Sequence, residues 1–320
     1  MSEPVAIGLL FPGQLAELPG MGRDFLDEDR EGKDLLVAAA AACGVEPGAL
    51  LGESPHPGPR GVLAVQTGVF LVSVLAARAL ERHRVEPAML AGYSLGHYAS
   101  LWRAGAISFE DCLRILVAVW EEVERLGAHG TMGAVIACPI EQVEAVCAEQ
   151  RAAGAPVWVG SVNAPGQIVL TGSEVGVEGA LASLKPAALS VQRLAMTWPI
   201  HSELLAPVSE AVAPAVAACA SIRAPRVPCL GPDADLLETP GDVRRVLTFG
   251  FSRRNDWNRV FATMVSRGIV RFLETGPGLM LSRVARWIAR EADCRPAGTA
   301  AAAAEAADII ARGWTGERRS

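Results

Sequence analysis

No C-x-x-C pair occurs among the seven cysteines, which lie scattered at positions 43, 112, 138, 147, 219, 229 and 294. Odd in number and irregular in spacing, they exclude a disulfide frame and a cysteine-based metal site. They read as reduced core thiols of a cytoplasmic protein. No basic stripe interleaves with aromatic residues, which make up only 5% of the chain, and the net charge is −6. That balance excludes a nucleic-acid partner. No basic segment precedes the apolar run Ala6–Phe11, which is too short for a signal-peptide core, so a cytoplasmic location is expected. The longest apolar stretch, Gly61–Leu80, is interrupted by Gln66, Thr67 and Ser73. It is expected to form a buried helix, not a membrane span. No internal repeat is visible, and low complexity is confined to Ala300–Ala307.

What remains is a chain of 320 residues, 51% hydrophobic and 20% charged, able to bury a large core in one large domain or two smaller ones. Its organising stretch is Gly92-Tyr93-Ser94-Leu95-Gly96, a G-x-S-x-G pattern. The apolar run Ala88–Ala91 before it reads as a buried strand. Tyr98, Ala99, Leu101 and Trp102 after it recur with helical spacing. A strand that turns sharply into a helix places the serine on a strained elbow, its hydroxyl exposed above the sheet. The helix N-terminus behind it supplies backbone N–H groups where an oxyanion would form.

Upstream, the strand Val5–Phe11 runs directly into Pro12-Gly13-Gln14, so Gln14 sits at the carboxyl end of a sheet. Its amide could donate to an oxyanion; the alternative is a surface turn residue. Helices are expected over 34–43, 62–83 and 109–126, the last capped by Ser108. From Met132 the order becomes strand 133–138, helix 140–152, strands 157–162 and 167–171, helix 175–184 and strand 188–194. This β-α-β-β-α-β order is that of a ferredoxin-like unit. Later elements are a helix over 203–219, a strand over 227–230, helices over 241–246 and 258–267, a strand over 269–275 and a helix over 279–291. The tail after Arg295 is expected to be loosely held, apart from an alanine-rich helix.

A serine nucleophile needs a base within hydrogen-bond reach. Of five histidines, His56 lies in a Pro/Gly loop, His83 at a charged helix end and His129 in a glycine turn. His97 follows the serine by three residues, with its ring directed back along the helix rather than at the hydroxyl. His201, on the Pro-stiffened segment Thr197–Ser202, is the best candidate. No Asp or Glu is placed by sequence to orient it, so a backbone carbonyl is the candidate for that role.

Six ordered segments now resemble one family: Phe11-Pro12-Gly13-Gln14, Gly92–Gly96, Met132-Gly133-Ala134-Val135, Asn163-Ala164-Pro165-Gly166-Gln167, Ile200-His201-Ser202 and Glu274-Thr275-Gly276-Pro277-Gly278. They are similar to malonyl-CoA:acyl-carrier-protein transacylases and to the acyltransferase domains of polyketide synthases. The resemblance implies an α/β-hydrolase-like core, here residues 1–130 and 198–320, with a ferredoxin-like subdomain at 131–197. It implies that Ser94 takes an acyl group from a CoA or carrier-protein thioester with His201 as base. The oxyanion would lie on the backbone N–H groups of Leu95 and Gln14. The acceptor would be the phosphopantetheine thiol of an acyl carrier protein. No bound cofactor, metal or membrane is implied, and a monomer is expected.

The departures bear on the substrate. Malonyl-specific members carry an arginine in the helix after the elbow, paired bidentately with the substrate carboxylate. Trp120 is expected at that place, the alternative for it being core packing. Trp198-Pro199-Ile200 matches neither the malonyl-type nor the methylmalonyl-type selectivity segment, Tyr93 stands for the usual elbow histidine, and His97 for the usual glutamate. The expected acyl pocket is thus Tyr93, Trp120, Trp198 and Ile200, with His97 and Asn163 as further site candidates. These differences favour transfer of a non-malonyl acyl group in polyketide or related biosynthesis. A hydrolase using the same Ser94 and His201, a malonyl transferase with a replaced cation, and a non-catalytic docking protein are the other readings.

Overall fold

The computed structural model describes residues 6–54 and 60–314, so Val5 and His56 lie outside the described residues. Two sheets organise it. Strand β1, Ile7–Phe11, is buried at every residue, as a central parallel strand must be when both faces are covered. It pairs in parallel with β2, Met89–Gly92, placing Phe11 opposite Gly92. The second sheet begins with β3, Thr131–Ile136, and continues with β4, Val157–Ala164, β5, Gln167–Gly172, and β6, Ser190–Arg193. The chain then returns to the first sheet with β7, Cys229–Leu230, touches the second with β8, Asn255–Asp256, and completes the first with β9, Arg271–Glu274, and β10, Asp293–Pro296.

The large sheet is wholly parallel, in the order β10-β9-β1-β2-β7. The smaller sheet runs β6-β3-β5-β4 with antiparallel pairing, and helices Ile140–Ala152 and Glu174–Leu184 fill the two crossovers. That is the ferredoxin-like order expected from sequence. The sheet reaches beyond residues 131–197, because β8 adds to β4 in parallel as a fifth strand.

Helix Arg60–Arg82 passes the length and hydropathy test for a membrane span, yet it is the central core helix, with Leu63–Leu80 almost wholly buried. Helix Arg30–Cys43 starts four residues before the expected Asp34. The cause is Asp29: its carboxylate caps Gly32 N at 3.0 Å and pairs with Arg78 and Arg82 from the core helix. This buried cap and its two cations hold the Asp29 carboxyl well below the usual carboxylate range, although burial alone would raise it.

The tail differs from expectation. Residues 293–296 form the edge strand β10, and helix Ala300–Ala311 docks with Ala300 N donating to Asp24 Oδ2 at 2.6 Å. Trp314 is buried, its indole N–H donating to Asp293 Oδ2 at 2.8 Å beneath the Arg295 guanidinium. A polar edge strand and an alanine-rich helix offered too little apolar pattern to reveal this anchoring.

Gly68 tests the packing of the core helix. A Cβ there would stand 2.0 Å from the Leu50 carbonyl oxygen. An ordinary helical Gly→Ala change stabilises by about 1 kcal/mol. Gly68→Ala is therefore expected to reverse sign and destabilise by roughly 1–3 kcal/mol, read as a lower urea midpoint than the unsubstituted protein.

Candidate active site

The elbow is built by two close approaches. A Cβ on Gly92 would meet the Gly96–His97 backbone at 2.3 Å, and one on Gly96 would meet the Phe11 carbonyl oxygen at 2.1 Å. Only glycine lets β2 turn into helix Gly96–Arg103 against the end of β1. Ser94 at the apex has φ 52, a left-handed conformation costing a non-glycine residue about 1–3 kcal/mol. The turn is held by Gly96 N donating to Tyr93 O at 2.8 Å and Tyr93 N donating to Phe11 O at 2.9 Å.

His201 Nε2 lies 2.7 Å from Ser94 Oγ, across 107 residues of chain. Its Nδ1 lies 2.7 Å from the Arg253 carbonyl oxygen, and its backbone N–H donates to Phe251 O at 2.7 Å. A carbonyl can only accept, so Nδ1 carries the proton and the Nε2 lone pair faces the serine hydroxyl. The third member is thus a backbone carbonyl. Burial lowers the His201 pKa to about 4, opposed by the Arg253 and Gly250 carbonyls, so the imidazole is a neutral base near pH 7.

Among the described residues, the backbone N–H groups of Leu95 and Gln14 have no protein acceptor. Both residues line the spaces next to Ser94, Leu95 at the N-cap of the elbow helix and Gln14 just beyond β1. The Gln14 side chain is occupied elsewhere: its Oε1 accepts from Gln66 Nε2 at 3.1 Å. Leu15 beside it has φ 71, and the 276–278 turn closes over this loop, with Thr275 N donating to Leu10 O at 2.7 Å. Glu274 anchors that turn by accepting from Leu281 N and Ser282 N at 2.9 and 2.8 Å.

Ser94 opens onto two spaces. One is a cleft of about 230 Å³ between the sheets, lined by Tyr93, Asn163, Met132, Met196, Met280 and His201 among others. The other is a smaller chamber of about 60 Å³ inside the large subdomain, walled by Leu116, Val119, Ile200, Leu247 and Phe251, with Gln14, Gln66, His97 and Tyr98 as members that carry polar groups. Among the described residues, neither is lined by an arginine or a lysine.

Several sequence expectations change here. Trp120 does not line the chamber: Leu116 and Val119, one turn apart, face it, and Trp120 packs in the core with the Arg60 guanidinium 5.4 Å from its ring centre. Helical phase explains the miss, since consecutive residues point about 100° apart. Trp198 is likewise a buried core residue and lines neither space, because the following Pro199 and Ile200 turn the chain inward. Ile200 lines both spaces. Tyr93 and Asn163 are joined, the phenol donating to Asn163 Oδ1 at 2.8 Å, which ties the elbow to the smaller sheet. His97 is buried beside the chamber and its ring makes no bond to Ser94, whereas His83 and His129 are exposed. Arg114 pairs with Asp111, and Arg125 with Glu122, so neither serves the site.

Sequence reasoning missed Gln66 and Val119, and it expected a backbone carbonyl behind His201 without naming Arg253. Gln66 had a signal, a polar break in an apolar helix. A carbonyl acceptor has none.

A family model described as the acyl transferase domain matches residues 9–236. The chain is 30% identical to a malonyl CoA-acyl carrier protein transacylase of Escherichia coli O157:H7, covering 87% of this chain and 91% of that protein. It is 30% identical to polyketide synthase GfsB of Streptomyces halstedii over 87% of this chain but 5% of that synthase. The crystal structure of a malonyl-CoA:acyl carrier protein transacylase from Xanthomonas oryzae pv. oryzae superposes with a TM-score of 0.88 at 29% identity, covering 97% of this chain and 99% of that one. The two-sheet fold, the strained serine elbow and these matches together place the chain in the acyl transferase domain family.

Proposed function

We propose that this chain transfers an uncharged acyl group from a CoA or carrier-protein thioester, through an ester on Ser94, to the phosphopantetheine thiol of an acyl carrier protein. The observation that carries the reading is the contact of Ser94 with His201 at the mouth of a chamber lined by no arginine or lysine among the described residues. Ser94 Oγ attacks the thioester carbonyl while His201 Nε2 takes its proton. The tetrahedral oxyanion sits on the Leu95 and Gln14 backbone N–H groups. As it collapses, His201 returns the proton to the departing thiol. The carrier thiol then enters through the cleft, gives its proton to His201 and attacks the ester carbonyl; as that intermediate collapses, the acyl group passes to sulfur and His201 returns the proton to Ser94 Oγ. This chemistry draws only on the thioester and the chain's own groups.

Relatives named as malonyl transacylases suggest a malonyl group, but the chamber argues otherwise. A carboxylate buried against Leu116, Val119 and Phe251 without a cation would cost several kcal/mol or more, roughly. A chamber of about 60 Å³ suits a short acyl chain.

Intact mass after incubation with an acyl-CoA series tests the reading. Acetyl- and butyryl-CoA are expected to label Ser94 faster than malonyl-CoA, and efficient malonyl labelling would contradict the charge argument. Ser94→Ala is expected to abolish the adduct. His201→Ala is expected to slow its formation by about 10²–10⁴-fold. The pH profile follows from the His201 pKa of about 4. A protonated imidazole cannot accept the serine proton, so acylation should stay level from pH 7 to about 5 and fall as pH drops through about 4. A fall centred near 6.5, the ordinary histidine value, would show the base is not held neutral by burial.

A further inference from the structure

His97 has no role in the chemistry described above, yet its environment is unusual. The side chain is 3% exposed, and both ring nitrogens lack a hydrogen-bond partner. A buried imidazole with neither nitrogen satisfied is costly and calls for an explanation. His97 forms part of the wall of the small chamber beside Ser94, next to Gln66. The Gln66 amide donates one N–H to Gln14. The wall also includes Gln14, Tyr98 and the reacting Ser94, and its other members carry no polar side chain.

The charge state narrows what could complete the imidazole. Burial and the neighbouring His201 both lower the His97 pKa, to about 3. A neutral imidazole offers one N–H donor and one acceptor nitrogen. A carboxylate needs donors and positive charge, which a neutral ring beside a second histidine does not supply. A hydroxyl both donates and accepts, and a keto oxygen accepts from the ring N–H. Either fits without bringing a net charge into the chamber.

We infer that His97, with Gln66, selects acyl groups bearing an uncharged oxygen, a hydroxyl or a keto group, on a short chain beyond the thioester carbonyl. His97 is then a specificity-determining residue that leaves the Ser94–His201 chemistry to others. The inference rests on the acyltransferase reading and specifies its substrate class. It also gives a use to a buried imidazole whose nitrogens have no hydrogen-bond partner among the described residues. A hydrogen-bonding site of this kind discriminates strongly against an analogue that leaves its buried groups unpaired.

The test compares 3-hydroxybutyryl-, acetoacetyl-, butyryl- and malonyl-CoA as donors to the unsubstituted protein, with kcat/KM for Ser94 acylation as the readout. The hydroxyacyl or ketoacyl donor is expected to exceed butyryl-CoA by about tenfold or more. In His97→Leu that ratio should collapse toward one, and in His97→Asn, which keeps a donor and an acceptor, part of it should return. Equal rates for the hydroxyacyl, ketoacyl and butyryl donors in the unsubstituted protein would overturn the inference while leaving the acyltransferase reading intact. So would a ratio unmoved by His97→Leu. Preference for malonyl-CoA, increasing as pH falls, would instead make His97 a titrating cation and overturn the inference. No adduct on Ser94 with any donor would remove both readings.

Discussion

The 2.7 Å contact between Ser94 Oγ and His201 Nε2 is the constraint on which the rest of the site depends. Both residues sit at positive φ, 52 and 65. Neither conformation is one a free chain would choose, so each must be imposed by its surroundings. For Ser94 the imposition comes from parallel pairing of β1 with β2 and from glycines at 92 and 96, where any side chain would strike backbone. For His201 it comes from the 250–253 segment, which holds both the backbone N–H and the ring through carbonyl oxygens. Orientation by a carbonyl has an electrostatic consequence. An imidazolium formed during catalysis is stabilised by a dipole, not by a full charge, and burial keeps the resting base neutral.

The second constraint is the low-charge interior around the nucleophile. The reacting groups open inward onto a chamber of aliphatic and aromatic walls and outward onto a cleft rich in methionine. Arg151, Arg253 and Arg254 line a separate groove that shares His201, and they line neither the chamber nor the cleft. Arg60, above Trp120, donates to the Cys43 carbonyl. An acyl group entering the chamber therefore meets dispersion contacts and a few neutral hydrogen-bonding groups. In the proposed reaction the same neutrality leaves the oxyanion as the main charge developed, where two backbone amides would have most effect.

Much of this was legible in the sequence because it rests on local rules. The elbow, the Ser108 cap with Asp111 N at 3.1 Å, the helix Ile140–Ala152 and the β-α-β-β-α-β order all follow from periodicity, caps and glycines. His201 could be singled out because His56, His83 and His129 stood in loop or charged contexts and the His97 ring was directed along its own helix. What escaped depends on phase and on backbone. Trp120 and Val119 are neighbours in sequence, and only their angular position about the helix axis decides which meets the substrate. Strand β8 is two residues long and exists only because β4 lies beside it. The Arg253 carbonyl belongs to no side-chain pattern at all.

The central claim is that the ester on Ser94 is held for a thiol and not for water. The direct measurement is a chase of the isolated butyryl-enzyme, followed by intact mass on both proteins after addition of buffer or of a holo acyl carrier protein. The account predicts an ester that persists in buffer and is lost rapidly to the carrier, with matching mass gain on the carrier's phosphopantetheine arm. Release of free acid at the same rate with or without the carrier would contradict it and mark Ser94 and His201 as the machinery of a hydrolase.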